Sequence, residues 1–512
     1  MALSRKVKNL DELALILQKL KSEGKKIIHC HGVFDLMHPG HVRHFQAAKA
    51  LGDVLVVTIT ADGHVNKGPG RPVFTQELRA ESIAALECVD YVAINFSSNA
   101  VEIIKKLRPD VYVKGKDYAD ADEDETRGIY FEREAIEKSG GRIHFTDEIA
   151  FSSSSLINEY FDVYPEPAKN FLKNFRKRYS ADEVIERLKG LKNMKALLIG
   201  ETILDEYAFV ATMVGKPPKG NHIAARFLSE ETHAGGVLAC ANHLANFCGE
   251  VDLITVIGND GKEKFIRSHL KPNVNLYLFK SGAAPTIVKK RFVDNAFLNK
   301  LFELYIIDDR PSPELASKIK DCLKNAVSQS KNYDLVLVLD YGHGLFTPSL
   351  RQFLCALPQF LVVNAQTNTA NMGFNPITKY LRANYFCLDD RELRMAFTDN
   401  HGDISDLIKQ LAGGVSLPGG VAVTLGHLGS VTYDAAEKKF FEIPVLSQKI
   451  VDTTGAGDAL LAITAPCVAS GFPMDLVGFI GNAAGALAVG ILGNRSSVEE
   501  AQLYKFITAL LK

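Results

Sequence analysis

From Lys26 onward the chain alternates short apolar runs with amphipathic stretches: KIIHCHGVF, HVRHFQAAKALG, DVLVVTIT, TQELRAESIAALE, YVAINF, VEIIKKLR and DVYVKG. Apolar runs of strand length separated by helical segments of roughly ten residues predict a parallel sheet built from βαβ units. This α/β pattern occupies residues 1–160. In residues 161–193 two prolines give way to charges at helical spacing, which predicts a helical linker with Lys and Arg on a solvated face. A second α/β pattern opens at KALLIGETIL and fills residues 194–512, with strands predicted at VDLITVIG, DLVLVLD, FLVVNA and GGVAVTLG. Strand-rich pieces interrupt it at YAFVATMVG, HIAARFLSEE, PTIVKKRFV and LFELYII, as a lid or a subunit contact would.

The length of 512 residues fits two large domains better than one core. A net charge of -1 with 23% charged residues gives no reason to expect a nucleic acid or a membrane surface as partner, which leaves small molecules. The eight cysteines are scattered, without CxxC or zinc-ligand spacing, and read as reduced thiols of a cytoplasmic protein. The first twenty residues carry charges through their apolar stretch, and no run approaches about 18 apolar residues. Neither export nor membrane spanning is expected.

In GVFDLMHPGH, residues 32–41, a strand ends at Gly32 and is followed by Asp35, His38 and His41, with Pro39 and Gly40 turning the chain into a helix. Two imidazoles and a helix N-terminus at the carboxyl edge of a sheet suit an anionic phosphate. Taken alone, an HxxH could equally hold a metal or consist of satisfied core histidines. The wider pattern, GxFDxxHxGH followed by AKALGD, resembles the nucleotidyltransferase superfamily of glycerol-3-phosphate cytidylyltransferases. The resemblance continues through Arg71, Pro72 and Arg79, the VKGKDY element and FSSSSLI, and covers the first domain as a Rossmann-like fold. RPV, VKGxDY and the pair Gly140 and Gly141 look most like the adenylyltransferase half of bifunctional heptose kinase/adenylyltransferases. The resemblance implies attack of a sugar phosphate on the α-phosphorus of a nucleoside triphosphate. It places His38 and His41 on the phosphates, Lys49 on the triphosphate, Ser154 and Ser155 as donors at a helix start, and Gly32, Phe34, Lys114 and Gly115 around the nucleotide. Arg79 is either a phosphate contact or a surface ion pair. Asp35 reads as structural, and the acidic insertion ADADEDETRG as a solvated loop.

In DTTGAGD, residues 452–458, Gly455, Ala456 and Gly457 precede an apolar helix with Asp458 on its first turn. Unencumbered backbone N–H groups at a helix N-terminus can cradle an anion, and a carboxylate there can take a hydroxyl proton. A capped helix after a glycine-rich turn is the bland alternative. The segment is similar to the C-terminal signature of ribokinase-like, or PfkB, carbohydrate kinases, and other elements of that family follow in order over residues 190–512. The resemblance implies a three-layer α/β/α domain with a small β lid. It places Asp205, Gly235, Gly236 and Asn242 on the sugar, Thr424, Gly426, Gly429 and Asn482 on the nucleotide, and Asp458 as base. Lys289 and Arg291 in PTIVKKR suit a substrate that already carries a phosphate, or are simply exposed charges on a lid strand. By the same analogy Asp452 and Thr454 help bind a monovalent cation such as K+, and Glu392 is associated with magnesium. The chain departs from heptose kinases at Asn364–Thr367, where DPKG is usual, at Asp389–Glu392, where N-x-x-E is usual, and at Glu201, where aspartate is usual. The order of the two domains is also reversed.

Together these resemblances imply a bifunctional sugar-activating enzyme using ATP and Mg2+, with CTP open as nucleotidyl donor, a heptose phosphate as substrate, and a homodimer joined through the kinase lid. A chain in which only the nucleotidyltransferase half is active stays open at this point.

Overall fold

The computed structural model describes residues 5–65, 67–68, 70–97, 99–116, 128–146, 164–213, 223–282, 284–296, 299–328, 332–447 and 450–512. They form two compact units, Met1–Tyr164 with Ala501–Lys512, and Pro165–Glu500. Among the described residues no helix is long and apolar enough to cross a membrane.

The first unit is a parallel sheet of β1 (Ile27–Gly32), β2 (Val54–Thr60), β3 (Tyr91–Asn95), β4 (Val111–Gly115) and β5 (Arg142–Thr146) in the order β3-β2-β1-β4-β5. Every residue of β2, VLVVTIT, is buried, because helices cover both faces of a parallel sheet and both faces of a central strand need apolar side chains. Strand order reverses between β1 and β4, which opens a crevice at their carboxyl ends. The HPGH segment follows β1 into that crevice. A helix forms at Leu10–Ser22, capped by Asn9 and burying Leu13 and Leu17 against Ile27, Val54 and Ile103.

The second unit is organised by β6 (Lys195–Thr212), 18 residues long and almost wholly buried. Its first half pairs in parallel with β8 (Glu250–Ile257) and β12 (Leu335–Asp340). The sheet continues from β8 to β9 (Val274–Lys280), and on the other side through β13 (Phe360–Ala365), β14 (Tyr385–Asp389), β15 (Gly420–Thr424), β16 (Ser430–Asp434) and β17 (Lys439–Ile443). Helices Pro313–Ser328, Pro348–Cys355 and Ile404–Gly414 bury Ile319, Leu350 and Leu411 on one face. Helices Val237–Phe247, Ala456–Ala469 and Met474–Ala488, buried nearly all round, cover the other. The second half of β6 leaves this sheet and forms the predicted lid with β7 (Ala225–Gly236), β10 (Ile287–Asp294) and β11 (Lys300–Ile306). One strand therefore belongs to both core and lid, and Asp205 lies in register with Lys289 where the two meet.

Two boundaries differ from those read in the sequence. The segment expected as a linker forms helices Glu166–Phe175 and Ala181–Gly190 within the second unit. Phe175 stacks on Phe479 at 4.4 Å, and Arg178 and Tyr179 bond to Asp475. Their charges do face outward, but an apolar stripe (Ala168, Leu172, Val184, Leu188) is buried beneath. The last twelve residues, counted with the second domain in the sequence, group with the first unit. Gly68, at φ +88°, lies so close to the Phe506 ring that an added Cβ would sit 2.0 Å from it. AQLYKFITALL predicts an amphipathic helix but does not say which core receives its apolar face.

Phe506→Ala in the full chain is expected to destabilise the first unit by about 3–5 kcal/mol, as for other buried aromatic truncations. Hydrogen exchange should quicken in β1, β2 and β4 and stay unchanged in β6, β12 and β13; unchanged protection in the first unit would contradict this assignment of the terminal helix.

Candidate functional site

In the first unit His38, with extended backbone, is the N-cap of helix Pro39–Lys49, and Pro39 takes the first helical position, where its missing N–H costs nothing. The rings of His38 and His41 stack at 3.8 Å and 23°. Phe34, at φ +48°, turns its ring back beneath them, edge-on to His41 at 5.3 Å. A Cβ at position 32 would come within 2.8 Å of that ring, which explains Gly32. Asp35 is buried and its Oδ1 accepts N–H bonds from Val73 (2.8 Å) and Phe74 (3.1 Å), holding the turn. Loss of hydration, followed by the charges of His38 and Lys67, pushes His41 down to about 3, and burial lowers His38 as well. Two neutral rings can stack this closely; two imidazolium ions would repel. Lys67, which the sequence reading passed over, is pushed down to about 8 by burial and then by Arg71, with Asp35 opposing.

Other predicted members of this site are used differently. Arg79 is buried, and its guanidinium donates to Phe74 O (3.0 Å), Val33 O (2.5 Å), Thr60 O (2.8 Å) and Asp62 Oδ1 (2.5 Å). It clamps the loops around the crevice and is neither a surface ion pair nor directed at a phosphate. Lys49 stands at the far end of its helix, about 16 Å along the axis for eleven residues. Its ammonium bonds Asp53 O (2.6 Å) and Asp90 Oδ2 (2.5 Å), both ahead of strands at the amino edge of the sheet. The structure does not bring Lys49 to the histidines. Lys114, at the end of β4, pairs with Glu132 at 3.1 Å, and beside it Gly115 has open space. Ser154 and Ser155 lie outside the described residues, as does nearly all of the acidic insertion.

In the second unit Gly455, at φ +83°, is the N-cap of helix Ala456–Ala469, and a Cβ there would sit 2.2 Å from Asn494 Oδ1. Space around Gly457 is open. Asp458 stands on the first turn and accepts a bond from the Tyr341 hydroxyl at 3.0 Å. Desolvation pushes its carboxyl up to about 7; Tyr341 and Lys289 oppose the rise and Asp205 adds to it. Asp205 is buried between Arg291 (2.5 Å to Oδ1) and Asn494 (2.9 Å to Oδ2). Gly235 lies against it, since a Cβ would be 1.9 Å from Oδ2, and Gly236, at φ +54°, starts the next helix. Arg291 also bonds Glu303 at 2.9 Å, and Lys289 is buried beside Asp205 and Asp458, with burial lowering its pKa. Lys289 and Arg291 are thus internal rather than exposed lid charges. Tyr341 and Asn494 carry no motif signal in the sequence; Tyr341 follows the apolar run DLVLVLD.

A buried polar network holds Tyr341 in place. Glu201 accepts the backbone N–H groups of Tyr341 (3.1 Å) and His343 (3.2 Å), and burial with neighbouring Asp340 pushes it up to about 8. Asp340 receives Tyr380 Oη and Lys379 Nζ, each at 2.6 Å. Glu392 and Asp389 form a reciprocal capping box on helix Asp390–Phe397, and the other Glu392 oxygen accepts Thr367 N at 3.0 Å. Both oxygens of Glu392 are thereby engaged by backbone, and burial pushes it up to about 8. Among the described residues no three His, Cys, Asp or Glu side chains are grouped to hold a metal.

Two further predicted contacts turn out to be braces. Asn242 donates to His269 O (2.8 Å) and accepts from Lys271 N (3.0 Å), and no bond among the described residues joins it to Asp205. Asn482 donates to Ile443 O (2.9 Å) and Pro444 O (3.1 Å). Thr424 ends β15, and the turn after it uses Gly426 at φ +59° and Gly429 at φ +104°. A side chain on Gly429 would collide with Ile443 O. Asp452 and Thr454, expected around a monovalent cation, instead share the ammonium of Lys300.

The charge states predict opposite pH responses. His29 and His41 (about 3) and His44 (about 4) are depressed from 6.5 in the folded first unit, so the stability they contribute is complete above pH 6.5 and is lost as pH falls below it. Glu201 and Glu392 (about 8) and Asp458 (about 7) are raised, so their contribution is complete below pH 4 and is lost as pH rises through 7 and 8. In the second unit His243 and His343 (about 4) and the lowered His233 oppose the raised carboxyls, so acidifying from neutral to about pH 5.5 should lower the calorimetric transition of the first unit more than that of the second; a second-unit transition that falls as steeply as the first would contradict the raised carboxyls.

A model described as pfkB family carbohydrate kinase matches residues 194–501, and one described as cytidylyltransferase-like matches residues 29–159. The "Bifunctional protein HldE" of Geobacter sulfurreducens is 39% identical over 167 residues, 31% of this chain and 32% of that protein. The protein of the same name from Sulfurimonas denitrificans is 44% identical over 114 residues, 22% of this chain and 24% of that protein. The chain spans about a third or less of the length of these curated relatives. Among solved structures, phosphofructokinase-2 from Escherichia coli in complex with substrates and products aligns over 62% of this chain and all of that chain, with 16% identity and a TM-score of 0.49.

Proposed function

The chain belongs to the pfkB family of carbohydrate kinases, and from that premise we propose that it activates a sugar in two steps, each on its own unit. The second unit phosphorylates a sugar phosphate at the anomeric hydroxyl with ATP. The first unit then joins the resulting 1-phosphate to a nucleotide and releases pyrophosphate. A heptose 7-phosphate is the proposed substrate and ADP-heptose the product, in keeping with the relatives named bifunctional protein HldE and the cytidylyltransferase-like match.

The observation that carries this reading is Asp458, a carboxyl pushed up to about 7 on the first turn of the cradle helix, within the same cluster as Asp205, Lys289 and Arg291. A hydroxyl nucleophile must lose a proton as it attacks phosphorus, and a carboxylate near neutrality is suited to accept it. The backbone N–H groups of the first helical turn, with open space at Gly457, stabilise charge on the transferred phosphoryl group. Lys289 and Arg291 receive the phosphate already on the sugar, while Asp205 and Gly235 border the sugar itself. In the first unit the nucleophile is a phosphate that is already anionic. There His38 and His41, with the helix N-terminus behind them, need only align the triphosphate and hydrogen-bond its oxygens.

Mg2+ commonly takes one or two carboxylates together with substrate phosphates, so the donors present fit an ion that arrives with the nucleotide. Asp458 is the carboxyl at hand, since both oxygens of Glu392 are taken by backbone N–H groups, and such an ion would supply charge neutralisation there. Phe227, Phe302, Leu304 and Ile306 of the lid strands are exposed, which supports a homodimer formed through the lid.

Phosphorus NMR of the full chain with Mg2+ and ATP or CTP, offered heptose 7-phosphate, should reveal a bisphosphate and then a nucleotide sugar; nucleotide sugar formed only from supplied 1-phosphates would overturn the kinase step. Asp458→Asn is expected to slow phosphorylation by about 10²–10⁴ and spare nucleotidyl transfer, with His41→Ala doing the reverse. Tyr341→Phe removes a bond that lowers the Asp458 pKa, so the acid limb of the phosphorylation rate should move to higher pH; an unmoved limb would take Tyr341 out of the positioning of the base.

A further inference from the structure

We propose that the ammonium group of Lys300 is the resident cation of the anion cradle, standing where resemblance leads one to expect a monovalent metal ion, and that it frees the phosphorylation site from dependence on potassium. The proposal rests on the kinase reading for its catalytic consequence, but its structural basis is independent of that reading.

Lys300 begins β11 of the lid, and its Nζ lies 3.0 Å from Asp452 Oδ1 and 3.0 Å from Thr454 Oγ1. Asp452 is buried, and its remaining capacity is taken up as well. Oδ1 also accepts the N–H (3.1 Å) and hydroxyl (3.0 Å) of Thr454, while Oδ2 accepts Tyr207 Oη (3.0 Å) and Gly493 N (3.1 Å). Burial alone would raise the Asp452 carboxyl, yet the bonds from Thr454 and Lys300 hold it below the usual carboxylate range, so it carries its charge at neutral pH. A carboxylate with five donors, one of them a full positive charge, is a completed cation site. A metal ion entering here would have to displace the ammonium. An alkylammonium is singly charged and close to potassium in size, so the substitution preserves the local field.

The position matters because Thr454 immediately precedes Gly455, the N-cap of the cradle helix, and Asp452 stands three positions before it. Whatever cation orders these residues sets the orientation of the Gly455–Gly457 backbone toward an incoming phosphate. A free ion would do this irrespective of the lid. Lys300 does it from a lid strand, and β11 pairs through β10 with β6, the strand that carries Asp205. The cation is therefore tethered to the element that covers the sugar, and cradle order and lid position become one property. The Lys300 side chain is 38% exposed, so its replacement removes a charge without opening a core.

The test compares the full wild-type chain and Lys300→Met in potassium and in sodium buffers of equal ionic strength, by thermal melting and by phosphorylation rate. Wild-type melting and rate are expected to be the same in the two salts. Lys300→Met should lose about 10²-fold in rate in sodium, the scale of removing one preorganised charge contact, and recover in potassium or ammonium; its melting temperature should be higher in potassium than in sodium. Preferential stabilisation of the wild type by potassium would overturn the proposal, as would a variant indifferent to both the substitution and the salt. The melting comparison needs no substrate, so a failure of the kinase reading would appear as absent turnover with the salt response of the variant still present.

Discussion

The second unit depends on keeping a carboxyl group, Asp458, poorly hydrated at the mouth of a glycine cradle. Taking a carboxylate out of water is costly unless partners compensate. Here they come from every side: the N-terminus of its own helix, the Tyr341 hydroxyl and the Lys289 ammonium. Each partner requires support of its own. Tyr341 is held because Glu201 on β6 grips the backbone after β12, beside Asp340, whose Oδ2 takes the Lys379 ammonium and the Tyr380 hydroxyl. Lys289 arrives because β6 runs on into the lid and pairs with β10. The helix under Asp458 is apolar on nearly all faces, so it has no freedom to turn the carboxyl toward solvent.

Under the proposed reactions, the contrast between the two units follows from their nucleophiles. A sugar hydroxyl needs a base, and the second unit places a carboxyl where its pKa approaches neutrality. A sugar 1-phosphate needs none, and the first unit offers stacked, neutral imidazoles at a helix N-terminus instead. Two sites proposed to handle phosphate therefore share almost no side-chain chemistry.

Much of this was legible in the sequence, and the failures share a cause. Periodicity identified both sheets, and the glycines at 32, 235 and 455 stand where close approach or a positive φ requires them. Arg79, Lys49, Asn242 and Asn482 have the residue types of ligand contacts, but their donors are spent on backbone carbonyls or distant carboxylates. Sequence gives a polar group's identity and not the direction in which it points. Lys300 and Asn494 were missed for the complementary reason. They lie 152 and 42 positions from Asp452, and only the lid and the segment after the last helix of the unit bring them to the cradle. The terminal helix was misassigned because an apolar stripe does not name its partner.

The most direct measurement is a carbon-13 NMR titration of the chain labelled at the aspartate carboxyls, with the Asp458 resonance identified by its absence from Asp458→Asn. The account predicts a midpoint near 7 for Asp458 in the unliganded protein. A midpoint near the ordinary 3.8 would mean that the carboxyl is hydrated, and that the arrangement around it does not tune a base.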